Sequence, residues 1–265
     1  MKIFRIFLSI LLVLLAIHWS FGQTKQLSKV EDIPLKTDNF IGIDKFDNLY
    51  HVSNNTLFKV TDSGETIAFK DVLLGDIERI DILNPNKITV FYRMSNTVVI
   101  LDNRMTEISR QDFNRLSPFK NVGFAGTSKD QGLWIYNIDL NQLELYDYRY
   151  NKTLANSLPI DEEILSMKNN FNFCFLETNE GFSIFNIYGS LVKKINVSDV
   201  KAFDLYKNKF IIHSGDNLIL YNEDFEPLES FKLQTDLYKN FFYNNENLYL
   251  YDGNNISRYK IISQN

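Results

Sequence analysis

Apolar residues along this chain fall into short runs separated by polar turns, and the runs recur as a unit. Five stretches align: NLYHVSNNTLFKVTDSGETI, KITVFYRMSNTVVILDNRMTEI, GLWIYNIDLNQLELYDYRYNKTL, FNFCFLETNEGFSIFNIYGSLVKKI and KFIIHSGDNLILYNEDFEPLESF. Each holds an apolar strand, a polar turn, a second apolar strand, and a turn that opens with Asp or Asn. The opening residues are Asp62, Asp102, Asp147, Asn186 and Asn222, spaced 40, 45, 39 and 36 residues apart. Asp and Asn suit that position because their side chains accept from backbone N–H groups further along the turn. A further strand precedes each pair, as in NFIGIDKFDN, ERIDILNPNK, VGFAGTSKDQ, EILSMKNN, VKAFDLYKNK and KNFFYNNEN.

A repeat of about 40 residues with four strands predicts an all-β fold, a six-bladed β-propeller. The runs ITVFY, LWIYNI, FNFCFL, FIIH and NLYLY are nearly continuous rather than alternating, as expected of strands covered on both faces. The last unit, ENLYLYDGNNISRYKIISQN, stops after three strands. Its Lys260 stands where the other units carry the turn-opening Asp or Asn. The missing outer strand is predicted to come from residues 26–43, where Ile33-Pro34-Leu35 matches Leu158-Pro159-Ile160 of the third unit. That strand would complete the last blade, close the ring and cover an open edge. Pro34 and Pro159 suit an outer edge strand, where a missing N–H is harmless.

The first 22 residues, MKIFRIFLSILLVLLAIHWSFG, read as a leader: Lys2 and Arg5, then an apolar run, then the small residues Ser20 and Gly22. Cleavage after Gly22 would leave residues 23–265 as a single propeller domain. The alternative, an uncleaved anchor, is disfavoured by an apolar run shorter than the ~20 residues a span prefers. No later segment is apolar enough to span. The expected location is outside the cytoplasm, in the periplasm or cell envelope of a Gram-negative-type bacterium.

Composition changes the picture in three places. Phe 22 and Tyr 14, against Gly 11 and Pro 5, favour strands and argue against a disordered chain. The formal charge is −5. Loss of Lys2 and Arg5 with the leader leaves 26 of the 28 cations against 33 acids, a net −7. Nucleic acid is therefore a poor partner on charge. Cys174 is the single cysteine, so no intrachain disulfide forms and the core must supply the stability.

The repeats resemble those of six-bladed propellers of the NHL-like and TolB-like groups over nearly the whole chain after the leader. In the third unit Asp130, Gly132, Leu133 and Trp134 match a D-x-G-L-W core and are similar to repeats in the propeller ectodomains of bacterial two-component sensors. The second unit, NPNKITVFYRMSNTVVILDN, resembles a block in small exported propellers of bacterial envelopes. This resemblance implies a fold and a compartment; it carries no activity.

In such a ring the second-to-third-strand turns and the blade-to-blade loops share one face, around the channel mouth. The channel-mouth candidates there are Asn54, Asn55, Arg93, Asn96, Asp139, Asn179, Glu180, Asp216, Asn217, Asp252 and Asn254. Amides and acids in a ring could hold Ca²⁺ or a sugar. The competing reading is that tight turns prefer Asn, Asp and Gly, as at Asn169, Asn170, Asn244 and Asn245 elsewhere. No D-x-D-x-D-G loop occurs. His51 and His213 align out of phase by one residue, so they point to opposite faces of their strands and make a poor metal pair. No G-x-S-x-G occurs. Ser128-Lys129-Asp130-Gln131-Gly132 resembles a sialidase Asp-box but reads as a turn, and Cys174 as a small core residue.

One connection stands apart: RQDFNRLSPFKN, residues 110–121, locally basic in an acidic chain. Its candidate partner-binding residues are Arg110, Phe113, Arg115, Phe119 and Lys120, since aromatics beside Arg are common at interfaces. The alternative is that Phe113 and Phe119 fold back to plug the channel mouth. The expected function is a non-catalytic interaction module, an accessory subunit of an outer-membrane or periplasmic, secretion-type assembly, with an envelope protein as partner and no cofactor or metal. The alternative is a small metal-dependent hydrolase or carbohydrate-binding propeller using the channel mouth.

Overall fold

A computed structural model describes residues 25–263 except 208, 234 and 236; the leader expected over residues 1–22 lies outside the described residues. Six four-stranded antiparallel sheets form, and in five of them the strands follow one another in chain order. Their first strands are Asn39–Ile43, Arg79–Asp81, Val122–Thr127, Ser166–Asn169, Val200–Tyr206 and Asn240–Asn244. These define blades 1 to 6. The fold is a six-bladed β-propeller.

The sixth sheet settles the question raised by its missing strand. Its outermost strand is Lys25–Pro34, which runs antiparallel to Asn255–Ser263, from Lys25 opposite Ser263 to Pro34 opposite Asn255. At Lys260 the chain continues straight through a nine-residue strand instead of turning. Leu35 then donates to the Asn254 carbonyl at 2.9 Å, and Ile160 likewise to Asn141 at 2.8 Å. The match of Pro34-Leu35 to Pro159-Ile160 is thus one of backbone hydrogen bonding.

Turn chemistry holds in four blades and shifts by one residue in the first. Asp102, Asn186 and Asn222 each accept from the N–H groups two and four residues on; Asp147 accepts from those two and three on. In blade 1 the turn is opened by Thr61, not Asp62. The Thr61 hydroxyl takes the Glu65 N–H at 3.0 Å, and Gly64 supplies the left-handed φ of +84°. A hydroxyl does the work of a carboxylate there, so the acid next to it misaligned the repeat.

Second strands are buried on both sides, as their continuous apolar runs require: Ile88–Tyr92 and Gly132–Asn137 are buried at every position. Outer strands such as Lys152–Asn156 alternate between exposed and partly exposed. The core divides into six clusters, one in each seam between blades. The seam between blades 4 and 5 is the most aromatic, with Phe182 edge-on to Phe203 at 4.7 Å and to Phe210 at 5.0 Å. Such pairs contribute about 0.5–1.5 kcal/mol each beyond area burial. The closing seam between blades 6 and 1 is smaller and stitched by polar contacts. Tyr251 donates to the Thr37 carbonyl at 2.8 Å, and Asn240 accepts from the Phe40 N–H at 3.1 Å.

Candidate functional site

The second-to-third turns do share a face with the blade-to-blade loops, because their amides tie the two together. Asn55, at φ +55°, donates to the Gly75 carbonyl at 2.9 Å and accepts from the Ile77 N–H at 2.8 Å. Asn96, at φ +50°, donates to the Lys120 carbonyl at 2.7 Å and accepts from the Val122 N–H at 3.1 Å. Asn54 receives its backbone support from Asp38, and Asp139 accepts from Asn121 at 2.8 Å. The Glu180 and Asp216 carbonyls accept from Val197 and Leu233 in the following loops. Arg93, Asn179 and Asn217 are exposed. Asp252 takes the Asn254 and Asn255 N–H groups at 2.7 and 2.8 Å, which hold its carboxyl below the usual range. Asp252 and Asn254 border a shallow depression with Tyr238, Lys239 and Tyr259.

None of these eleven residues lines the central cavity. That cavity, about 630 Å³, lies toward the opposite end of the ring, where its rim is made by first-to-second-strand turns. First strands of blades 1, 2, 4, 5 and 6 wall it, and that of blade 3 contributes nothing to the lining. At Gly126 of blade 3, a Cβ would sit 2.1 Å from Asn169 Oδ1, so the amide of blade 4 occupies the space a side chain would need.

Charged side chains enter the cavity from these strands, an arrangement missed when the loop face was taken as the site. Arg79 of blade 2 reaches past blade 3 to blade 4. There it donates to the Met167 carbonyl and, at 3.2 Å, to Asn169 Oδ1. Its Nε is enclosed and makes no hydrogen bond, and burial lowers its pKa. Three carboxylates also face the cavity, each already engaged. Asp44 accepts from Tyr50 at 2.9 Å and from Asn48 at 2.9 and 3.1 Å. Asp81 accepts from the Thr127 N–H and from Asn169, both at 2.8 Å. Asp204 pairs with Lys168 and takes the Tyr243 N–H, both at 2.8 Å. Lys45 and Lys207 sit at the rim over the rings of Phe46 and Tyr206. The signal for these residues was present in the sequence: charges set inside apolar first strands, as in ERIDIL and AFDLYK.

The basic loop divides cleanly. Phe113 opens a short 3-10 turn, Phe113–Arg115, and is fully buried in the seam between blades 2 and 3, 5.5 Å from the ring of Tyr146. It plugs a seam rather than the channel mouth, and it presents nothing to a partner. Lys120 pairs at 2.6 Å with Glu144, which also accepts from Thr153 at 2.6 Å and Asn137 at 2.8 Å. Burial pushes the Glu144 carboxyl up, but those hydrogen bonds outweigh it and hold the group below its usual range. Arg110 is clamped by Glu107 and Asp71, at 2.6 and 2.7 Å. Arg110 stays exposed despite the clamp, and Arg115, 87% exposed, and Phe119, 52% exposed, also face solvent.

His51 stacks on Phe58 in blade 1, whereas His213 is buried against Tyr238 at the seam of blades 5 and 6. Cys174 is buried and free, with its thiol pKa raised by burial. Among the described residues, no group of three or more His, Cys, Asp and Glu is arranged to hold a metal ion.

Solved propellers superpose on the chain. The WD40 domain of Toxoplasma gondii coronin matches at TM-score 0.61 and 9% identity, over 92% of this chain and 87% of that one. Streptogramin B lyase matches at 0.58 and 9%, over 90% and 98%. The Neurospora crassa Pan2 WD40 domain matches at 0.58 and 9%, over 86% and 76%. With 908 matching chains and identities this low, the likeness establishes the fold alone. No family model and no curated protein matches the chain.

Proposed function

We propose that the protein is a non-catalytic, exported interaction module that docks an envelope protein on its loop face. One observation carries this reading. Along successive turns and loops of blades 1 to 4, Val72, Leu73, Met94, Phe119, Leu140 and Leu158 are each more than half exposed. Single apolar residues scattered over a surface are ordinary, whereas a series of them on one face of a rigid ring marks an interaction site. Exposed Arg93 and Arg115 stand among them, so the fitting partner offers an apolar surface bordered by carboxylates.

Within this reading the five residues of the basic loop have two roles. Arg115 and Phe119 touch the partner; Phe113 and Lys120 hold the loop in shape from beneath, and Arg110 braces it at the surface through Glu107 and Asp71. The leader pattern of residues 1–22 supports export, and with the apolar face it supports the role of accessory subunit in an outer-membrane or periplasmic assembly.

The test is a mild-detergent pull-down from the native envelope with tagged wild type and a Met94→Ser/Phe119→Ser double variant. A stoichiometric envelope protein should accompany the wild type and be lost from the variant, with Tm unchanged. The same protein held equally by the variant overturns the docking face. Recovery of the protein from the cytoplasm alone overturns export.

A further inference from the structure

We infer that the central cavity is a binding site for a small organic anion with an apolar body, its acid group received by Arg79. The site opens at the end of the ring opposite the docking face, so the two readings stand or fall separately.

Arg79 has no carboxylate within ion-pair distance among the described residues; both its hydrogen-bond acceptors are neutral oxygens. Its Nε is enclosed without a partner. A partly buried cation with no ion-pair partner is costly to keep, and an anion bound beside it would offset that cost. Asp81 and Asp204 favour the charged form of Arg79 from a distance, but burial outweighs them, and neither forms an ion pair with it. Asp44, Asp81 and Asp204 are held by Asn48 and Tyr50, by Thr127 and Asn169, and by Lys168 and Tyr243 respectively. Lys45 and Lys207 add two cations at the rim, neither paired with a carboxylate among the described residues. The lining therefore holds four cations against three acids, in a chain whose net charge is −5. A concave site with low-dielectric walls focuses that positive field and draws anions in.

Size and walls select the rest of the ligand. A volume of about 630 Å³ falls within the usual range for small-molecule sites. Ile80, Ile82, Leu205 and Phe242 line the same cavity as Arg79. An inorganic anion would leave those walls wet, and a neutral apolar molecule would leave Arg79 unanswered. A carboxylate, sulfonate or phosphate monoester on an aromatic or aliphatic body satisfies both, and a planar guanidinium matches such oxyanions well.

Isothermal titration with three probes tests this: 2-naphthoate, the neutral 2-naphthalenemethanol, and inorganic phosphate. Naphthoate should bind one per chain and more weakly as salt is raised. The alcohol and phosphate should each bind roughly tenfold more weakly or worse. Arg79→Met should lower naphthoate affinity by a similar factor. Lys45→Gln/Lys207→Gln, confined to exposed rim positions, should lower it severalfold with the fold untouched. Equal binding of naphthoate and the alcohol, unchanged affinity in the rim double variant, or no binding of naphthoate at millimolar concentration would each overturn the assignment.

Discussion

The two ends of the ring use charge in opposite ways. On the loop face nearly every charge of the 110–121 segment is answered locally: Arg110 by Glu107 and Asp71, Arg115 by Asp112, Lys120 by Glu144. What stays unanswered there is apolar surface, with the exposed Arg93 beside it. At the cavity end each acid is hydrogen-bonded, whereas Arg79, Lys45 and Lys207 form no ion pair among the described residues. On the two proposed readings, recognition by the loop face would rest on apolar contact bordered by Arg93 and Arg115, and recognition by the cavity on charge beside an apolar wall. A residue's type says little about which of these roles it has; whether its charge is balanced by a neighbour says more.

The largest expected effect tests whether loop-face charges are scaffold. Lys120→Met leaves Glu144 buried without its cation, which should cost about 3–5 kcal/mol in urea denaturation. A Lys120→Met/Glu144→Leu double variant should recover most of that. A single variant as stable as the wild type would place Lys120 on the functional side instead.

Next comes Lys87, a cavity-end cation that does serve the scaffold. Its ammonium reaches from blade 2 to the Asp130 and Gly132 carbonyls of blade 3, at 2.9 and 2.8 Å. Burial pushes its pKa down to about 8. The unfolded chain keeps that proton up to about pH 10.4. Between those values the unfolded state binds more protons, so stability from this group rises with pH. The wild type should gain on Lys87→Met as pH goes from about 8 to about 10, with no such gain below. Denaturation midpoints across that range provide the check; parallel curves would show that Lys87 is not perturbed.

Arg79→Met sharpens the contrast from the other side. It removes an unanswered cation rather than half of a pair, and its freed acceptors face the cavity. Its stability should stay within about 1 kcal/mol of wild type. A loss as large as that of Lys120→Met would make Arg79 a structural tie between blades 2 and 4. Smallest of all, Arg115→Ala should leave the denaturation midpoint where it was, since its contact with Asp112 is solvent-exposed.

Much of the fold was legible because it is written locally. Apolar runs of strand length and Asx turns identify blades one at a time, and Lys260 in place of a turn residue marks where the pattern breaks. The slip at Asp62 came from the same source: Thr61 performs the turn with a hydroxyl, and an acid beside it looked the better candidate. The loop-face Asn residues were legible as turn formers; their second task, holding the following loop, follows from where those loops run. Phe113 and Phe119 sit six residues apart in one segment and look alike in sequence. One is sealed in a seam and the other is exposed, and nothing local distinguishes them.

The sequence by itself determined the number of blades, the four-strand repeat, and the closure of the ring by an N-terminal strand from within residues 26–43 completing the last blade. Those depend on periodicity and turn chemistry, which act over a few residues. Only the tertiary structure decided which end of the ring holds the cavity, that blade 3 stands back from it, and that Arg79 meets Met167 and Asn169 across it. Such contacts join residues almost 90 positions apart. They exist because six blades curve into a ring, and the curvature is set by all the seams together rather than by any one stretch of chain.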